Sequence, residues 1–168
     1  MRTTSIRRGA VALALLALAG CGSSTYGGSS SATSSSSAGA ASSGAVLTTA
    51  GTDLGKVVVD SGGRTVYVFD KDTPGSGTSA CTAACLTKWP PVPAPSGKLA
   101  ADGVTGKIGT ITRDDGTKQV TLGGMPLYLY SGDSQAGDVT GQAVGGIWWA
   151  VSPDGAKITG EPAVVPGY

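Results

Sequence analysis

Four aspartates, at two places in the chain, have the residue type and spacing for chemistry. Asp70 and Asp72 follow Tyr67-Val68-Phe69, while Asp133 and Asp138 follow Tyr128-Leu129-Tyr130. Carboxylates close together on a loop suit a hard cation such as calcium, with backbone carbonyls and Gln135 completing the shell. The same side chains equally suit Asx turns closing onto backbone amides, because each motif acid precedes Thr73-Pro74-Gly75 or Ser134-Gln135-Ala136-Gly137. Neither loop carries the ligand spacing of an EF-hand.

Other chemistries are poorly supplied. The 168 residues contain no histidine, so Ser-His-Asp and Cys-His nucleophiles cannot be assembled. No glycine-rich loop ends in Gly-Lys-Ser/Thr. No local context singles out a carboxylate pair for glycoside hydrolysis, even with Glu161 near the tail. The chain is therefore not expected to be an enzyme, and no cofactor is expected, with calcium or another metal left open.

The aromatic side chains are few but concentrated: Tyr67, Phe69, Trp89, Tyr128, Tyr130, Trp148 and Trp149. Core packing accounts for most of them. Adjacent tryptophans in a strand cannot both face inward, so Trp148 or Trp149 is expected at the surface, where with Asp138 or Asp133 it would suit sugar stacking or a protein partner. Tyrosine and tryptophan can also relay electrons, although no haem, iron–sulfur or copper pattern accompanies them.

The elements that must position these groups are repeated. Gly62-Gly63-Arg64-Thr65-Val66-Tyr67-Val68-Phe69-Asp70-Lys71-Asp72 returns 61 residues later as the run from Gly123 to Asp133, placing Tyr67 on Tyr128, Phe69 on Tyr130 and Asp72 on Asp133. Strand periodicity surrounds both copies: VVVD at 57–60 and TVYVFD at 65–70, then KQVTL at 118–122 and PLYLY at 126–130, each pair joined across a glycine turn. GKIGTITR and the turn at 114–116 precede the second pair. Tyr67 and Phe69 alternate with Val66 and Val68, which fits a strand buried on both faces. The expected fold is all-β, with duplicated β-hairpin units of about 53–92 and 108–151 forming a small sandwich or barrel. Trp89 and Trp148 or Trp149 are expected as equivalent plugs, each on the open side of its own hairpin. Between the copies, SACTAACLT at 79–87 is the best helical stretch, with Ser79 as its cap. The polar loop at 131–146 is long for a compact domain.

The N-terminus reads as an address. Arg2, Arg7 and Arg8 precede an apolar run from Gly9 to Ala19, too short to span a bilayer permanently, that ends in Leu18-Ala19-Gly20-Cys21. Residues 1–20 are thus expected to be a lipoprotein signal peptide, with Cys21 as the lipidated first mature residue. Acyl chains bury methylenes at about 0.8 kcal/mol each, enough for stable anchoring when there are two or more. Residues 22–45 are uncharged and Ser/Gly/Ala-rich, a tether with a typical reach of roughly 27 Å. The domain follows at 46–168. Beyond the three signal arginines, nine basic residues face 11 acidic ones, a formal charge of −2 that supports no nucleic-acid partner. With Cys21 assigned to lipid, Cys81 and Cys85 remain as an even pair in an oxidising compartment, which reads as a disulfide in a short helix or loop, with a metal or redox pair as the alternative.

The repeated blocks resemble a family of bacterial secreted-repeat lipoproteins of unknown function, marked by a Tyr-x-aromatic-x-x-Asp motif. Here that motif is Tyr67, Phe69 and Asp72, then Tyr128, Tyr130 and Asp133, flanked by CTAACLTKWPPV and VGGIWWAV. Met125 stands where many such proteins carry histidine ahead of Pro-Leu-Tyr. The resemblance implies a lipid-anchored protein on the outer face of the cytoplasmic membrane and brings no established activity. The expected role is a non-catalytic module binding an envelope protein or cell-wall glycan; the alternative is a redox- or metal-linked accessory protein.

Overall fold

The computed structural model describes residues 45–160, all within the unit Ala38–Tyr168. The signal segment, Cys21 and nearly all of the tether lie outside the described residues, as does the tail after residue 160.

Each repeat opens with an antiparallel pair. In the first, β1 (Leu47–Thr52) pairs with β2 (Gly55–Asp60) from Leu47↔Asp60 to Thr52↔Gly55. In the second, β4 (Ile108–Thr112) pairs with β5 (Lys118–Leu122) from Ile108↔Leu122 to Thr112↔Lys118. β1 lies ahead of residue 53, where sequence repetition alone starts the first unit. Its sequence LTTAGT lacks apolar alternation because only Leu47 is fully buried. The expected glycine turns follow. Gly123 and Gly124 take φ of 59° and 83°, the two consecutive positive values of a type I′ turn, and lead into β6 (Met125–Pro126) beside β5.

The third element of each unit crosses over. β3 (Tyr67–Phe69) of the first unit pairs with β7 (Trp148–Ala150) of the second, in the register Tyr67↔Ala150, Val68↔Trp149, Phe69↔Trp148. Reciprocally, Pro91 and Pro93 of the first unit bridge Tyr128 and Gln119 of the second. The Val92 N–H donates to the Leu127 carbonyl at 2.9 Å, and the Val120 N–H to the Val92 carbonyl at 2.9 Å. The tryptophan segments therefore do not plug their own hairpins, as expected from sequence; each completes the hairpin of the other copy. At the centre, Tyr67 and Tyr128 exchange both backbone bonds, at 2.8 and 2.9 Å. A pseudo-twofold axis runs between them.

The sheets are small, two of two strands and one of three, and they form no closed barrel among the described residues. Alternation splits the interior in two. Val58, Val66, Val68, Val92, Val120, Leu127 and Leu129 form an aliphatic core on one side. Tyr67, Phe69, Trp89, Tyr128, Trp148 and Cys81 form an aromatic core on the other. The central strand residues from Val66 to Phe69 are buried on both faces, as their apolar run indicates.

The helix is shorter than expected. α1 spans Ala84–Lys88, with Ala83 rather than Ser79 at its N-cap. Ser79 is drawn away to the Tyr128 phenol, at 2.6 Å, and the Ala80 N–H to Asp72, at 2.6 Å, so the chain cannot coil there. The Cys81–Cys85 disulfide forms, with Cα atoms 5.4 Å apart. Arg113 ties this loop to the sheet, donating to the Cys81 carbonyl at 2.6 Å and to Gln119 Oε1.

Ala83 has φ 48° and ψ −119°, a conformation natural to glycine. Ala143, ahead of the 3-10 helix Val144–Gly146, likewise has a positive φ, 57°. Ala83→Gly is expected to raise stability by about 1 kcal/mol, because relief of roughly 1–3 kcal/mol of backbone strain exceeds glycine's unfolded-state entropy. Urea denaturation measures it, and a lower midpoint for the variant would mean that Ala83 is unstrained.

Candidate functional site

β3 and the extended stretch at 128–130, which joins the sheet through bridges at Tyr128 and not as the strand expected over 126–130, set the motif side chains on the aromatic side of the sheet. Every second residue of a strand faces one way, so Tyr67 and Phe69 point together, as do Tyr128 and Tyr130. The backbone then turns sharply: the Asp72 N–H donates to the Phe69 carbonyl at 2.9 Å, and the Asp133 N–H to the Tyr130 carbonyl at 3.1 Å. This is why the acid follows the second aromatic by three residues in both copies. The turn swings each carboxylate back under the sheet, where it meets the tyrosine of the other copy.

The Tyr67 phenol donates to Asp133 Oδ2 at 2.7 Å, and the Tyr128 phenol donates to Asp72 Oδ2 at 2.6 Å. The second oxygen of each acid closes a loop. Asp72 Oδ1 accepts from the Ala80 N–H, and Asp133 Oδ1 accepts from the Thr140 N–H at 3.0 Å and its hydroxyl at 2.6 Å. Each acid thus closes a loop onto an amide eight or seven residues on, not the local Asx turn expected, and that closure is joined to a tie between copies. Burial pushes the Asp72 pKa up, an effect that the bonds from Tyr128 and Ala80 only partly offset. Burial also pushes both phenols far above their usual range, and the neighbouring carboxylate adds to it. Both tyrosines are held protonated.

The rings form a column. Phe69 stacks on Trp148 at 4.2 Å and Trp148 on Trp89 at 3.8 Å with planes 3° apart, while Tyr130 lies against Trp89 at 4.5 Å with planes tilted 36°. Tyr67 packs edge-on against Trp89 at 5.4 Å, and Tyr128 against Trp148 at 5.1 Å. The column obeys the pseudo-twofold: its rings come alternately from the two copies, with the tryptophan pair astride the axis. Trp148 is 4% exposed, so it is a core residue with no ring face left for a ligand.

Trp149 is the tryptophan that reaches solvent. Its indole N–H donates to Asp70 Oδ2 at 2.8 Å, not to Asp133 or Asp138. Lys157 completes this group, 2.7 Å from Asp70 Oδ1 and 5.4 Å from the Trp149 ring centroid. Partial burial opposes the Asp70 charge, but the bonds from Lys157 and Trp149 outweigh it and hold its pKa below the usual range. Beside them lies an open cleft of about 290 Å³ lined by Val68, Asp70, Asp72, Pro74, Met125 and Lys157. Asp138 stands elsewhere, accepting from the Ser134 and Gln135 amides, which hold its pKa down.

The four aspartates are therefore not gathered, and no group of three or more His, Cys, Asp or Glu side chains that could hold a metal converges among the described residues. Sequence reasoning missed Lys157, which lies 87 residues from Asp70 and in neither repeat. It also missed Ser79 and Thr140. A signal for those two was present, since both are hydroxyl residues at the same 61-residue offset as the motif.

Two copies of one β unit, each supplying the segment and the acid that complete the other, define a duplicated, interlocked repeat domain. The chain belongs to a family described as a secreted repeat of unknown function, whose model matches residues 48–93 and 109–152. The two matches begin within β1 and β4, the first strands of the two units. Membership in a secreted family places the protein outside the cytoplasm, in the envelope or beyond. No curated protein and no solved structure matches the chain.

Proposed function

We propose that this protein is a non-catalytic envelope module, lipid-anchored through Cys21 to the outer face of the cytoplasmic membrane, that binds cell-wall glycan. The observation that carries the reading is the division of labour among its polar side chains. The motif tyrosines and acids are spent on holding the two copies together, and both carboxylates of the pair have their oxygens occupied. What remains open is the cleft lined by Asp70 and Lys157, and next to these two the half-buried Trp149 that bonds Asp70. An indole edge with a cation and an anion beside it suits a polar ligand carrying hydroxyl and amide groups.

Co-sedimentation of the full chain with purified cell-wall sacculi tests the binding. Saturable binding is expected, weakened at least about tenfold by Trp149→Ala, the equivalent of about 1.4 kcal/mol. Absence of saturation, or release of soluble sugar fragments by the protein, would rule the reading out. Cys21→Ser is expected to move the protein from the membrane to the soluble fraction in the native host, and a variant that stays with the membrane would rule out the anchor.

A further inference from the structure

The aromatic side of the sheet holds five oxidisable rings in one contiguous group. Trp89 and Trp148 stack at 3.8 Å, Tyr130 lies 4.5 Å from Trp89, and Tyr67 and Tyr128 abut Trp89 and Trp148 at 5.4 and 5.1 Å between centroids. A neutral phenol is hard to oxidise alone, because the radical cation it would form is a very strong acid. A base already hydrogen-bonded to the hydroxyl removes that obstacle by taking the proton as the electron leaves. Tyr67 and Tyr128 each have such a base at 2.7 and 2.6 Å, in buried pairs. The carboxylates that tie the two copies together are thereby also placed to take the phenolic protons.

We propose that the tyrosine–aspartate pairs and the ring column form a proton-coupled one-electron relay. The Tyr67 O–H bond breaks, its proton passes to Asp133 Oδ2, and its electron passes through Trp89 to an oxidised transition-metal centre of a partner, which is reduced by one electron. Tyr128 does the same with Asp72 through Trp148. The products are a neutral tyrosyl radical and a carboxylic acid, with no net charge brought into the core beyond the electron removed. Return of the electron from the reduced metal centre reverses both transfers.

The pseudo-twofold is broken where direction matters. One end of the column is Phe69, which is buried and too hard to oxidise to carry a hole. The other end is Tyr130, partly exposed, with the Lys88 ammonium 5.6 Å from its ring centroid. The column therefore opens to a partner at the Tyr130 end, across which the electron tunnels from Trp89 without Tyr130 itself being oxidised.

The test is flash oxidation of the full chain by photogenerated tris(bipyridine)ruthenium(III), followed by transient absorption and electron paramagnetic resonance. Tyr26→Phe and Tyr168→Phe are introduced first, leaving Tyr67, Tyr128 and Tyr130 as the tyrosines present. A neutral tyrosyl radical is expected, forming more slowly in D2O. Asp72→Asn with Asp133→Asn keeps an oxygen to accept the phenol bond but removes the base, and is expected to slow radical formation about a hundredfold, the contribution of a positioned base. Should that variant not fold, Tyr67→Phe with Tyr128→Phe decides, since the signal should then stop at tryptophan. A tyrosyl signal of full intensity in that variant would place the radical on Tyr130 and overturn the proposal, as would a rate unaffected by D2O or by the asparagines.

Discussion

Trp148→Ala is expected to destabilise the protein by about 4 kcal/mol, within the range for truncating a buried aromatic. That is a large share of the roughly 5–15 kcal/mol that holds a domain folded. The ring is 4% exposed and touches Trp89, Phe69 and Tyr128 at once, so its loss opens a void on the pseudo-twofold axis, where neither copy can collapse without disturbing the other. Trp89→Ala is expected to cost a similar amount, because Trp89 makes the symmetric contacts with Tyr130 and Tyr67. A double-mutant cycle measured by chemical denaturation should return a coupling of about 1 kcal/mol for the stacked pair. Strict additivity would mean that the two rings are held independently by their own units. Trp149→Ala, beside the cleft, should leave stability nearly unchanged.

Alkaline solution is expected to unfold the protein steeply. In the unfolded chain both phenols ionise near pH 10. In the folded protein the Tyr67 and Tyr128 pKa values are pushed well above that, first by burial and then by the carboxylate each donates to. Their contribution to stability is therefore full below pH 10. As pH rises further, the unfolded chain releases two protons that the folded protein keeps, and stability falls by about 1.4 kcal/mol per pH unit for each phenol. The combined slope, approaching about 2.7 kcal/mol per unit above pH 10, is read from denaturation midpoints between pH 9 and about 11.5. Tyr67→Phe with Tyr128→Phe should be less stable at neutral pH, because two buried carboxylates lose a donor, yet nearly flat across that window. A wild-type profile as flat as the double variant's would mean that the phenols ionise in the folded state. At the acid end Asp72 acts in the opposite sense to an ordinary paired carboxylate. Its raised pKa means that the unfolded chain ionises first, so this group favours folding less as pH climbs above the usual carboxylate range.

These two results share a structural cause. Neither unit has a complete core: β3 needs β7 from the other copy, and each motif tyrosine needs the other copy's acid. Damage on the axis is therefore felt by both units together. Damage at Asp138 or at the Asp70–Lys157 pair, which lie outside the reciprocal contacts, should stay local.

The amino-acid sequence by itself determined the strands around Val58, Val68 and Val120, because alternation of apolar residues is a local property of a strand with one face in each core. It also determined the duplication, the glycine turn at Gly123-Gly124, the short disulfide loop, and the motif residues as a set. Only the tertiary structure decided how those residues pair. Tyr67 binds Asp133, 66 residues away, and not Asp72. In a duplicated sequence, pairing within a copy and pairing between copies look identical, and the choice is made by how the two sheets dock. The same applies to the tryptophans: spacing makes Trp89 equivalent to the Trp148–Trp149 pair, but which ring enters the column depends on the register of β7 against β3. β1 escaped notice because an edge strand needs few apolar residues, and α1 was overestimated because helix propensity cannot see the phenol and carboxylate that claim Ser79 and Ala80. Lys157 reached Asp70 through a loop beyond the repeats, a contact that no periodicity encodes because it depends on chain closure and not on local pattern.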